Sequence, residues 1–268
     1  MKYFLLVTFI IWGNLLFAQE KIEEIEQYDI RSYAPQKSGV SDLVFEARID
    51  KLTEILSKNL ALGKLVDVYF KISWLSPSQY KIEVFGLPKG FEDIKADLTA
   101  LIKGKLEFVL PEKFSDKFKG YKFKVEPIAD GKLIRAIDVT YKMIAPEVDI
   151  SFDRAGLLKT IETKAPNSLV KTEFFHSPKS WSNNKLVLDK IIQSSSQGPA
   201  KQMTISELEY ISVSGIGFPS QISVKSVTEI TVPATDKEKE KQIKNEMGTT
   251  IHFTNYEVNT GKARRQIN

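Results

Sequence analysis

The chain has 268 residues, 42% hydrophobic and 27% charged, with a net charge of +4 and no cysteine. This is an ordinary globular balance, and so small a positive excess points to no particular acidic partner. The lack of cysteine excludes thiol chemistry, thiolate metal sites, iron–sulfur clusters and disulfides, and a chain of this length can bury a core without cross-links.

Met1 and Lys2 precede an apolar run over 3–18, broken by Gly13 and Asn14 and ending at Ala18 before "QE". A positive start, a short apolar stretch and a small residue follow the order of a secretory signal peptide. The run is short for the roughly 20 residues that a spanning helix needs. The expectation is cleavage after Ala18, which takes 18 residues from 268 and leaves 250, with the product periplasmic or, alternatively, secreted. It is at most peripheral to a membrane.

Residues 19–40 read as a polar lead-in, with Pro35 inside it and Gly39 near its end. From 41 to 268 no composition break marks a second domain, so a single β-rich domain is expected. "SDLVFEARID" (41–50) is the first strand. "KLTEILSKNLAL" (51–62) spaces Leu52, Ile55, Leu56 and Leu60 as a short helix would. In "VDVYFKISW" (66–74), Val66, Val68, Phe70, Ile72 and Trp74 alternate with polar residues. After a Ser76-Pro77-Ser78 turn, "QYKIEVFG" (79–86) returns with Tyr80, Ile82 and Val84 on one face. This is a hairpin from a sheet with one apolar and one wet side.

The period then changes from two to that of a helix. "GFEDIKADLTALIKGK" (90–105) places Phe91, Ile94, Leu98, Leu101 and Ile102 along one stripe, between Pro88 and Gly104. After Pro111 the pattern is β almost to the end. "EKFSDKFKGYKFK" (112–124) mixes lysines with aromatics, but it fits a strand better than a nucleic-acid patch, with Tyr121, Phe123 and Val125 inward and Lys122 and Lys124 outward. "ADGK" (129–132) is a tight turn. "LIRAIDVTYKM" (133–143) puts Leu133, Ile137, Val139, Tyr141 and Met143 on one face, with Arg135 the exception. "SFDRAGLLKTIET" (151–163) is a hairpin turning at Asp153 and Gly156, with Ile150 and Phe152 facing inward. Four more strands and a closing one, "TIHFTNYEV" (250–258), bring the total to about eleven at antiparallel spacing. A charged insert (235–247) reads as a solvated helix or loop, and Lys262, Arg264 and Arg265 read as a free tail.

No catalytic motif emerges. The two histidines, His176 and His252, form no metal-binding pair, and no Gly-x-Ser-x-Gly elbow or phosphate loop occurs. Gly215-x-Gly217 followed by Pro219 is a turn, and "DRAG" lacks the ligand ladder of a calcium loop. The expectation is a non-enzyme without metal or cofactor. A secreted hydrolase with an unrecognised carboxylate pair is the weakest rival.

Four stretches carry a resemblance: the "FDxxGLLKxIE" hairpin (152–162), "WSNNKLVLDKI" (181–191), "LEYISVSGIGFPSQISV" (208–224) and "IHFTNYEVNTG" (251–261). With the exported, cysteine-free start, this layout resembles the LolA-like group of periplasmic lipoprotein carriers and lipid-binding envelope proteins. The resemblance covers the C-terminal two-thirds and implies an unclosed β-barrel with helices as a lid over a hydrophobic cavity. The early helix departs from that pattern, and no family ligand contact transfers to a residue of this chain.

The expected fold is therefore mainly β with a few helices, a curved antiparallel sheet or unclosed barrel with a helical lid. The expected function is carriage of a lipid or lipidated protein, in which each buried methylene is worth about 0.8 kcal/mol. Strand alternation nominates Val68, Phe70, Ile72, Trp74, Tyr80, Ile82, Val84, Ile137, Val139, Tyr141, Ile150 and Phe152 as cavity wall, and Phe91, Ile94, Leu98 and Leu101 as lid. The alternative is a structural or interaction component of the cell envelope, in which the same faces form a dry core and the loops meet a protein partner.

Overall fold

A computed structural model describes residues 22–140, 142–143, 145–165, 168–232 and 241–268. The expected signal peptide (1–18), the first residues of the lead-in (19–21), Tyr141 and residues 235–240 of the charged insert lie outside the described residues.

Twelve strands make one antiparallel sheet. Three come first: β1 (Asp42–Ile49), β2 (Tyr69–Leu75) and β3 (Gln79–Phe85). Five follow: β4 (Lys122–Ile128), β5 (Gly131–Ile137), β6 (Glu147–Asp153), β7 (Leu158–Ala165) and β8 (Ser168–Pro178). The four longest close the chain: β9 (Leu186–Gln197), β10 (Ala200–Val213), β11 (Ile216–Val232) and β12 (Lys241–Val258). From β4 to β12 each strand pairs with its sequence neighbour, and β1 then pairs with β12. β3 and β4 are left as the two edges, so the sheet is not closed.

Among the described residues five helices accompany it: α1 (Glu23–Arg31), α2 (Leu52–Ser57), α3 (Glu92–Lys103), α4 (Leu106–Val109) and α5 (Lys262–Ile267). One face of the sheet, the inner face, carries two apolar cores. The first joins Phe45, Phe70, Ile72, Phe218 and Phe253 to Leu52, Leu98, Ile102 and Val109 of α2, α3 and α4. The second joins Ile134, Ile150 and Phe152 to Ile25 and Tyr28 of α1 and to Phe114 and Phe118 of a 3-10 turn (Phe114–Phe118). Each fully buried Phe or Ile contributes about 1.5–3 kcal/mol.

The outer face is mixed, with ion pairs set among exposed apolar side chains such as Phe175, Met203 and Ile137. Cross-strand pairs include Arg135 with Asp149 at 2.9 Å, Lys190 with Glu207 at 2.9 Å and Lys225 with Glu246 at 2.6 Å. Burial raises the Asp149 pKa, but hydrogen bonds from Lys164 and Arg135 more than offset this and hold it low. The outer face is covered at β1–β3, where α5 packs. There Ser73 is buried and donates to Gln266, and the buried Asp42 carboxylate accepts the N–H of Arg264 at 3.0 Å.

Several expectations are corrected. Within the lead-in, Glu23–Arg31 form a helix, because Ile25 and Tyr28 fall one turn apart and bury together. The tail is α5, held by Asp42 and with Ala263 fully buried. The described part of the charged insert, from Lys241, is strand, because it pairs residue for residue with β11 from Val232↔Lys241 onward. Residues 114–118 form a 3-10 turn with both phenylalanines buried, rather than strand. In β5 the core face is Ile134 and Ala136, one residue out of step with the expectation. Arg135, the apparent exception, is the true guide: it marks the outer face, where it meets Asp149, and Ile137 lies on that face too.

Candidate ligand cavity

The two cores are anchored at different parts of the sheet and leave a gap between them. α1 and the 3-10 turn hold to β5–β7, while α2, α3 and α4 belong to the core on β1–β3 and β10–β12. Between them lies a cavity of about 480 Å³. Its floor is the inner face of β7–β11, with Ile161, Phe174, Leu188, Ile191 and Tyr210 as its apolar part. Its roof comes from the C-terminal part of α1, residues 32–37 and residues 104–117, including Phe108.

Polar bonds hang the roof in place. The Asp29 carboxylate accepts the backbone N–H of Phe114 at 2.6 Å and of Ser115 at 3.0 Å, which fixes the 3-10 turn to α1. The Tyr33 hydroxyl accepts the Gly217 N–H at 2.8 Å and donates to the Gly217 carbonyl at 3.2 Å. Position 217 has to be glycine: an added Cβ would sit 2.1 Å from the Trp181 ring, which is wedged against Tyr33 and Tyr210. Tyr33 N–H also bonds the Leu186 carbonyl at 2.9 Å, tying the segment to β9.

Tyr28 and His176 meet at the cavity wall, hydroxyl to Nε2, at 2.8 Å. Burial pushes the His176 pKa down to about 4, against the opposing pull of Asp189, so the imidazole is neutral at pH 7. Burial pushes the Tyr28 hydroxyl up to about 12 and raises the Tyr210 hydroxyl as well. Tyr210 donates to the Leu188 carbonyl at 2.7 Å. Lys37 has its pKa lowered mainly by desolvation of its ammonium and donates to the Ser32 carbonyl at 3.3 Å. Glu107 pairs with Lys117 across the roof.

On the floor, the side chains of Thr172, Gln193 and Ser206 make no hydrogen bond to any described residue. The described residues contain no group of three or more His, Asp or Glu side chains able to hold a metal ion. Among the described residues, the hydrogen-bond partner of His176 is the Tyr28 hydroxyl. The arrangement is suited to binding.

The nominated wall and lid residues lie elsewhere. Val68, Phe70, Ile72 and Trp74 are buried in the first core, with Ile82 and Val84 packed at its edge. Ile150 and Phe152 are buried in the second. Tyr80, Ile137 and Val139 are 41%, 38% and 48% exposed. In α3, Leu98 is buried in the first core, Phe91 and Ile94 pack against it, and Leu101 faces solvent. None of these lines the cavity. The reason is physical: the cleanest apolar alternation marks faces that side chains already fill. A cavity floor that alternates Phe174 with Thr172, or Ile191 with Gln193, leaves a mixed pattern. The mixed runs "VKTEFFH" (170–176) and "LDKIIQ" (188–193) were its signal in the sequence.

Compared with known proteins, the chain matches no family model, no curated protein and no solved structure.

Proposed function

We propose that the protein binds the acyl chain of a lipid or lipidated protein in the cavity between β7–β11 and the roof over residues 104–117. The observation that carries this reading is the gap itself. A space of about 480 Å³ falls inside the range of about 300–1,000 Å³ usual for ligand sites, and aromatic and aliphatic side chains make much of its floor and roof. The ion pairs that interrupt the outer face support a water-borne carrier, since a membrane-spanning barrel turns a continuous apolar band outward. Export behind the expected signal peptide (1–18) would put such a carrier in the periplasm or, alternatively, outside the cell.

The test is displacement of a fluorescent fatty acid by a saturated series of rising length. At about 0.8 kcal/mol per methylene, affinity should rise about fourfold per carbon and level off once the cavity is full. Ile191→Trp fills the floor and should abolish displacement, while Ile72→Val, in the dry core, should leave it intact. Lipid-free protein from cells, together with no fluorescent binding at any length, refutes the proposal.

A further inference from the structure

The strand register divides the inner face of β8–β11 into rungs, and the rungs change character along the strands. Phe174 stands opposite Ile191, at the roofed end. The next rung is Thr172, Gln193, Thr204 and Ser226, side by side on four strands. One rung further, Ser195, Gln202 and Thr228 continue the series on β9–β11, while β8 contributes Val170. From Ile191 outward, no inward-facing position on β8–β11 carries a charge, whereas the outward positions between them include Lys171, Lys201, Lys225 and Glu229. Thr204 and Ser226 bond each other at 2.6 Å, but Thr172 and Gln193 offer their groups to the open face. The roof is electrically balanced: Asp29, Glu107 and Glu112 face Lys37, Lys105 and Lys117.

We infer that the ligand is an amphiphile with an uncharged, hydroxyl-rich head, a glycoside or an acylglycerol. This rests on the acyl-binding reading above and adds the head and its orientation. The tail lies under the roof against Phe174 and Ile191, and the head lies on the Thr172–Gln193–Thr204 rung, where hydroxyl and amide groups match its donors and acceptors. An anionic or cationic head finds no opposite charge on this floor, and desolvating it there is unfavourable.

The experiment compares probes with the same dodecyl or lauroyl chain and different heads: dodecyl maltoside, monolaurin, laurate, dodecyltrimethylammonium and dodecylphosphocholine. Maltoside or monolaurin should bind about 10-fold more tightly than the three charged heads, and whichever is tighter separates a sugar from a glycerol source. Gln193→Ala and Thr172→Val, at sites with no structural bond to lose, should each weaken the uncharged probe by about 3- to 10-fold, one lost neutral hydrogen bond, and weaken it more than they weaken laurate. Equal binding of all heads, tighter binding of a charged one, or uncharged-head affinity unaltered by both variants overturns the head assignment while leaving the acyl cavity standing. If no probe binds, laurate included, the cavity reading itself falls.

Discussion

His176 gives a pH dependence of stability with a definite sign. Its imidazole sits against Tyr28 of α1 and stacks on Phe174, while Asp189 attracts its protonated form and Lys159 repels it. Burial dominates, and the folded-state pKa drops from 6.5 to about 4. Between these values the unfolded chain holds a proton that the folded chain does not. Stability therefore rises with pH across that window, and it is lost as the pH falls from about 6.5 toward 4. The whole shift corresponds to about 3 kcal/mol, of which about 2 kcal/mol is gone by pH 5. Urea unfolding near pH 7.5 and near pH 5 measures it. Shifted carboxylates such as Asp149 and Asp153 have lowered pKa values, so the stability they add is lost only below about pH 4 and does not overlap. His176→Gln keeps a polar group near Tyr28 but cannot titrate, and should flatten the dependence between the two pH values. Equal wild-type stability at both, or the same loss in the variant, would refute a buried neutral histidine.

Two further outcomes follow from close packing and capping. Gly217→Ala should cost about 1–3 kcal/mol, because its Cβ must displace Trp181; a lowered urea midpoint with an altered near-ultraviolet tryptophan signal checks it, and unchanged values contradict the packing. Asp42→Ala removes the acceptor for the first N–H groups of α5 and should cost about 1–2 kcal/mol. Hydrogen exchange of residues 262–268 should quicken in that variant while β8 and β9 keep their protection; unaltered exchange would show that Asp42 does not hold the helix.

Much of the sheet was legible because its outer face is wet and its cores are dry. β2 shows this best: Phe70, Ile72 and Trp74 alternate with Tyr69, Lys71 and Ser73, and the apolar set is buried. α3 was equally plain from its stripe and from Gly104 after it. What failed was tertiary. Nothing local distinguishes a strand residue that meets a helix from one that meets a gap, so Phe70 looked like a better cavity wall than Phe174. β5 misled because Leu133, Ile137 and Val139 outnumber the small inward Ala136, and it took the Arg135–Asp149 pair to set the face. α1 and α5 were missed because their apolar contacts are few: Ile25 and Tyr28 in one, Ala263 in the other.

The cavity and the stability of the central strands are linked. The two cores reach β8 and β9 only through the partly buried Phe174 and Leu188, so these strands lack the fully buried cover that Phe45 and Phe253 have at one side or Ile150 at the other. Their order then rests on ladder hydrogen bonds and on outer-face pairs such as Lys171–Glu173 at 2.8 Å and Lys190–Glu207 at 2.9 Å. Exposed pairs of this kind add only about 0–1 kcal/mol each. A ligand that fills the gap supplies the missing apolar contact from outside the chain. Because it binds the folded state alone, it stabilises that state by about 2.7 kcal/mol at a hundred times its Kd. A packed centre would have gained that contact permanently and left no room for the proposed ligand. On the proposed acyl-binding reading, the incomplete core of β8–β9 is the feature that suits a carrier: it leaves the folded chain short of contact where a removable acyl chain would provide it.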